Sequence, residues 1–203
     1  NTTGSNNTAS GGLALMNNTT GTNNTASGGG ALMNNTTGTN NTTSGASALF
    51  YNTTGGNNTT SGVESLYSNT TGTYNTASGN KALFANTEGS NNTSLGYQAG
   101  DSITTGSNNT IIGTDADPSS ATANNQIVIG QATTGVADNS VTLGNANVSA
   151  VYMAQDSGAT VHCGGLNIGG TAVTSSAAEL NILDGVTSTT AELNILYGVT
   201  STA

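Results

Sequence analysis

Positive charge is almost missing from this chain. Among 203 residues, Lys81 is the only Lys or Arg, set against ten Asp and Glu, for a formal net charge of −9. Nucleic-acid binding is thereby excluded, because phosphate contacts need many Lys and Arg side chains. Charged residues make up 5% of the chain and aromatics 4%, where about 25% charged is ordinary for a soluble domain. Tryptophan is absent and His162 is the only histidine. Cys163 stands alone, so no intrachain disulfide is available. No run of roughly 18 apolar residues occurs, which excludes a transmembrane helix and gives no expectation of membrane insertion. No signal peptide is visible, and the chain opens in mid-repeat at Asn1, which reads as a piece of something longer.

What is present is Asn, Thr, Ser and Gly. So polar a composition fits disorder, in which too little apolar surface offsets chain entropy. It also fits a repeat architecture, in which backbone pairing between stacked copies replaces a large core. Disordered chains are usually rich in Pro, Lys and Glu and lack a strict period. Here there is one proline, Pro118, and the period is strict.

Glycine recurs at Gly4, Gly21, Gly38, Gly55, Gly72, Gly89 and Gly106, each step being 17 residues. A second glycine column runs Gly11, Gly28, Gly45, Gly62, Gly79, Gly96 and Gly113, with an Asn-Thr pair ahead of it at fixed phase, from Asn7-Thr8 to Asn109-Thr110. An apolar column runs Leu15, Leu32, Leu49, Leu66 and Leu83, followed by Met16, Met33, Phe50, Tyr67 and Phe84. Small residues precede it: Ala14, Ala31, Ala48, Ser65 and Ala82. A 17-residue period is too short for helical hairpins and suits one coil of a β-solenoid. Threonine favours strands, and Asn and Gly take the left-handed conformations of tight corners. Each copy is expected to form short strands joined by corners at Gly4 and its equivalents, with Asn amide ladders along the axis. The Leu column is the expected repeat core. At roughly 25 cal/mol per Å2 one coil buries little, so a homotrimer is expected, with Leu and Ala columns facing the threefold axis. The alternative is a single-chain solenoid with Leu inside.

The chain divides into three parts: the seven-copy repeat over 1–113, an irregular β cap or neck over 114–175, and a short-helix pair over 176–203. Thr114 to Asn125 reads as a loop. Strands are expected at Gln126–Gly130, Ser140–Gly144 and Val148–Met153, with two more around Val161 and Leu166–Gly170. Ala178–Ser188 recurs 13 residues later as Ala191–Ser201. Ser176 with Glu179, and Thr189 with Glu192, have capping-box spacing. Gly185 and Gly198 sit at helix-stop positions, which predicts two short helices.

The pattern N-T-T-G-[ST]-N-N-T-A-x-G-x-x-A-L resembles repeats of bacteriophage tail fibres and is similar to the heads of trimeric autotransporter adhesins. Asn92–Gly100 and Asn109–Gly113 carry the likeness best, and the tandem A-E-L-N-I-L-D-G-V-T-S-T resembles a phage-fibre element. The resemblance implies a trimeric, left-handed parallel β-roll exposed on a virion or cell surface. As a tail-fibre segment it would support host attachment, with a host glycan or protein bound by regions outside this chain. The alternative setting is a bacterial adhesin stalk or extracellular filament. One departure stands out. The residue before the repeat glycine, usually apolar in that family, is Ser10, Ser27, Ser44, Ser61 and Ser78, turning to Leu95 and Ile112 only in the last copies.

Chemistry-bearing residues are few, and no enzyme, cofactor or metal centre is expected. His162 and Cys163 are adjacent, and neighbours along a strand point to opposite faces. Asp115 and Asp117 beside Pro118 invite a Ca2+ reading, but loop acids are more often simply solvated. Asn-x-Thr triplets match the glycosylation sequon, for which corner and ladder roles are the stronger reading. The long Thr columns also permit an ice-binding surface.

Overall fold

The computed structural model describes residues 1–152, 166–168 and 171–173. Two compact units divide the chain, Asn1–Val151 and Tyr152–Ala203. The first is a parallel β-solenoid. Its strands are three residues each: β1 (Thr8–Ser10), β2 (Thr25–Ser27), β3 (Thr42–Ser44), β4 (Thr59–Ser61), β5 (Thr76–Ser78), β6 (Thr93–Leu95), β7 (Thr110–Ile112), β8 (Ile127–Ile129) and β9 (Val141–Leu143). They form one sheet in chain order, each pairing parallel with the next. Thr8 lies opposite Thr25, Thr25 opposite Thr42, and so on in strict register to Thr110 opposite Ile127. The 17-residue period is thus one coil.

One segment per coil is a strand. Three successive turns follow it, as in Ala31 N to Gly28 O, Met33 N to Gly30 O and Asn35 N to Leu32 O. The first two carry a left-handed residue at their third position, Gly30 and Leu32, as type II turns require. The remaining backbone is bonded between coils. Leu32 N–H donates to Ala48 O, and Thr36, Thr37 and Gly38 N–H all donate to Thr53 O. Nearly the whole coil is therefore tied to its neighbours, as buried or close-packed backbone demands.

The core lies inside the single chain. Leu32, Leu49, Leu66 and Leu83 are fully buried, as are Ala31, Ala48 and Ala82. The central strand residues Ala26, Thr43, Thr60, Ala77, Ser94, Ile111 and Val128 complete it. This corrects the expected placement of the Leu and Ala columns on a threefold axis: each coil wraps them in its own backbone. The Leu residues hold φ near +50°, which costs roughly 1–2 kcal/mol for an L-residue. Full burial of a Leu side chain returns about 1.5–3 kcal/mol, so the left-handed turn that aims it inward is retained.

Residues 114–125 do not form a loop outside the repeat. They complete a coil in phase, with Thr104 N–H donating to Ala121 O and Gln126 N–H to the Asn109 side chain. Backbone bonds between coils do not need the consensus side chains, so the stack outlasts the motif. The step from β8 to β9 is shorter, Ile127 pairing with Val141, a spacing of 141 − 127 = 14. The expected strands at Gln126–Gly130 and Ser140–Gly144 are β8 and β9. Val148 to Tyr152 is not a strand. In the second unit, β10 (Leu166–Ile168) pairs antiparallel with β11 (Thr171–Val173). Val161 and the helices expected over 176–203 lie outside the described residues.

Candidate functional site

Two Asn columns and one Gly column form a buried spine. Asn35 Nδ2 donates to Asn18 Oδ1 at 2.7 Å, Asn52 Nδ2 to Asn35 Oδ1 at 2.7 Å and Asn69 Nδ2 to Asn52 Oδ1 at 2.8 Å. In the second column each Oδ1 accepts the backbone N–H of the next coil's Asn, as in Asn58 N to Asn41 Oδ1 at 3.0 Å. Both columns converge on the glycine predicted as a corner. Gly55 O accepts Asn52 Nδ2 at 2.9 Å and Asn41 Nδ2 at 2.9 Å. Glycine is required there by close approach rather than by a left-handed φ. A Cβ on Gly38 would strike the carbonyl oxygen of Gly55. The spine ends where Ile103 takes the Asn position, which leaves Asn86 Oδ1 buried without a partner.

The sequons sort by burial. Asn18, Asn35, Asn41, Asn52, Asn58 and Asn69 are buried and bonded, so the ladder role holds for them. Asn6, Asn23, Asn40 and Asn57 are exposed, and they too form an amide ladder at 3.1–3.2 Å.

The outer face of the sheet carries two columns. Thr8, Thr25, Thr42, Thr59, Thr76 and Thr93 form one, all exposed. The serine column forms the other, so its polarity reflects an outward position and not a polar core. Towards β9 both columns turn apolar. Leu95 is 51% exposed, Ile127 39%, Ile129 38%, Val141 60% and Leu143 46%, with Ile112 partly exposed between them. Sequence reading noted the change to Leu95 and Ile112 but could not place it on the outside without knowing the facing.

Asp117 is half-buried, and its Oδ1 accepts from Ser102 Oγ at 2.8 Å and from Ser102 N–H at 3.3 Å. Burial pushes its pKa up to about 6, against the two Ser102 bonds that lower it, with the Asp101 charge adding to the rise. Asp115 is exposed. Among the described residues no three His, Cys, Asp or Glu side chains come together as a metal site. His162 and Cys163 lie outside the described residues.

Aromatic side chains cluster on one flank. Phe50, Tyr67 and Phe84 stack one per coil, with centroids 5.4 and 5.2 Å apart. Lys81 Nζ lies 5.5 Å from the Phe84 centroid and 3.7 Å from Glu64 Oε2. That ion pair is solvated and contributes little. No helix of the described residues is long and apolar enough to cross a membrane. No protein-family model, curated protein or solved structure matches the chain.

Proposed function

We propose that this chain is a structural segment of an extracellular fibre, as in a virion tail fibre supporting host attachment or an adhesin stalk, and that copies associate through the apolar end of the outer strand face. One observation carries the reading. The core is already closed within one chain, yet Leu95, Ile112, Ile127, Ile129, Val141 and Leu143 stand outward on adjacent strands. A contiguous apolar patch of this kind marks an interaction surface, and no charged residue lies on these strands. A second copy of the same face is the simplest cover, and the likeness to trimeric fibres makes three the expected number. The homotrimer is thus built on a different face from the Leu columns.

Sedimentation equilibrium tests it. A discrete trimer is expected for the native chain. Replacing Leu95, Ile129 and Leu143 together by Ser should shift it to monomer while leaving the β-sheet circular dichroism unchanged, since none of the three is buried. A native chain that is monomeric at tens of micromolar would sink the proposal.

The outward Thr row favours a second reading as an ice-binding surface. Its hydroxyls repeat at the strand spacing of about 4.8 Å on one regular face, and such a row can order water. A freezing-point gap that disappears in Thr42→Lys and Thr59→Lys variants supports this reading. An ice front unaffected by millimolar protein removes it.

A further inference from the structure

In a protein of near-identical coils, a localised site has to sit where one coil departs from the others. The residue after the bulky column is Asn17, then Asn34, then Tyr51, then Ser68. Asn17 Nδ2 donates to Asn34 Oδ1 at 2.9 Å, and Asn34 Nδ2 turns to the Phe50 carbonyl at 3.1 Å. At the third coil Tyr51 interrupts this ladder. Its ring stands nearly perpendicular to Phe50 and Tyr67, with centroids at 4.9 and 5.1 Å, and is left 47% exposed.

Beside it runs an open groove of about 640 Å3, within the usual size of small-ligand sites. Thr36, Thr53 and Thr70 line its floor. Their hydroxyls are committed to the carbonyls of Thr53, Thr70 and Thr87 at 2.9–3.0 Å, so they offer the groove their methyl carbons. Asn17, Asn34 and Ser68 complete the lining, and among the described residues Asn17 Oδ1 and Ser68 Oγ have no recorded bond partner in the chain. No charged side chain takes part.

We propose that this groove binds a neutral pyranose unit of a glycan. A pyranose has an apolar C–H face suited to an aromatic ring and methyl floor, and an edge of hydroxyls suited to amides and a serine. The absence of charge disfavours acidic sugars, phosphates and cations, for which no counter-charge exists. The inference stands on the groove alone and does not depend on the fibre role or on the oligomeric state.

Saturation-transfer NMR with gluco-, galacto- and manno-configured trisaccharides, and a sialylated trisaccharide as the acidic control, tests it. At least one neutral sugar should receive transfer, mainly at ring C–H protons, and should shift the Tyr51 ring resonances. Tyr51→Asn restores the amide of the two preceding coils, so the fold is expected to survive, as an unchanged melting temperature would verify. This variant should weaken binding at least about tenfold, while Tyr74→Asn, at an exposed tyrosine outside the groove, should leave it unchanged. No transfer to any neutral sugar, undiminished binding by Tyr51→Asn, or equal binding of the sialylated sugar would each overturn the proposal.

Discussion

Asn52 closes two gaps at once. Its Nδ2 donates to Asn35 Oδ1 and Gly55 O, and its Oδ1 accepts from Asn69 Nδ2. All of this is buried, where an unpaired polar group costs about 1–3 kcal/mol. Asn52→Ala orphans Asn35 Oδ1 and one Asn69 N–H, so a loss of roughly 2–4 kcal/mol is expected in urea unfolding. Asn40→Ala, in the exposed ladder, should cost less than about 0.5 kcal/mol. Equal losses at the two sites would contradict the buried spine. The phase of these amides was legible in the sequence, but their facing was not, because Asn serves equally well inside and outside. Asp117 was legible only as an acid near a proline. Its raised pKa means that folding favours the protonated carboxyl. The stability this contributes is full below the ordinary value of 3.8 and is lost as pH rises to about 6. Because the carboxyl is partly exposed, the expected loss is discounted to about 1 kcal/mol. Asp117→Asn should remove that step from the melting temperature between pH 4 and pH 7. Parallel profiles for variant and native chain would refute it.

At the scale of the element, turns shape the coil more than strands do. Each coil spends three residues on a strand and then makes three consecutive turns. Gly45 holds φ at +146°, and a Cβ there would meet the Gly62 carbonyl group of the next coil. Gly45→Ala should therefore cost at least about 3 kcal/mol. Gly29 has no such φ, and its nearest obstacle is Gly12 O at 3.9 Å. Gly29→Ala, which copies Ala46 one coil on, should be neutral or stabilising by up to about 1 kcal/mol. Thermal unfolding of both variants checks the contrast. Equal effects would mean that the two glycine positions are not distinguished by stacking. The coil period was plain from columns of Gly, Asn and Leu, since stacking places like residues on like. Residues 114–125 misled because they lack those columns. Their coil is held by backbone bonds and by Ala116, Ala123 and Gln126, which carry no visible period.

For the whole of the first unit, the decisive property is that each coil encloses its own Leu and Ala. The thin-core argument for pooling columns among three chains underestimated how much buried backbone and amide bonding replaces apolar area. Association moves instead to the outer strand face, where polarity gives way to Leu, Ile and Val. Distance measurement by double electron–electron resonance tests the stack most directly. Spin labels would be placed at cysteines replacing Thr25 and Thr93, Thr25 and Thr110, or Thr8 and Thr110. Cys163 would be changed to Ser, and labelled chains diluted into unlabelled ones. With about 4.8 Å per coil, the pairs span four, five and six steps and should give narrow distances near 19, 24 and 29 Å. Broad distributions, or separations that do not grow by one strand spacing per 17 residues, would contradict the single-chain solenoid.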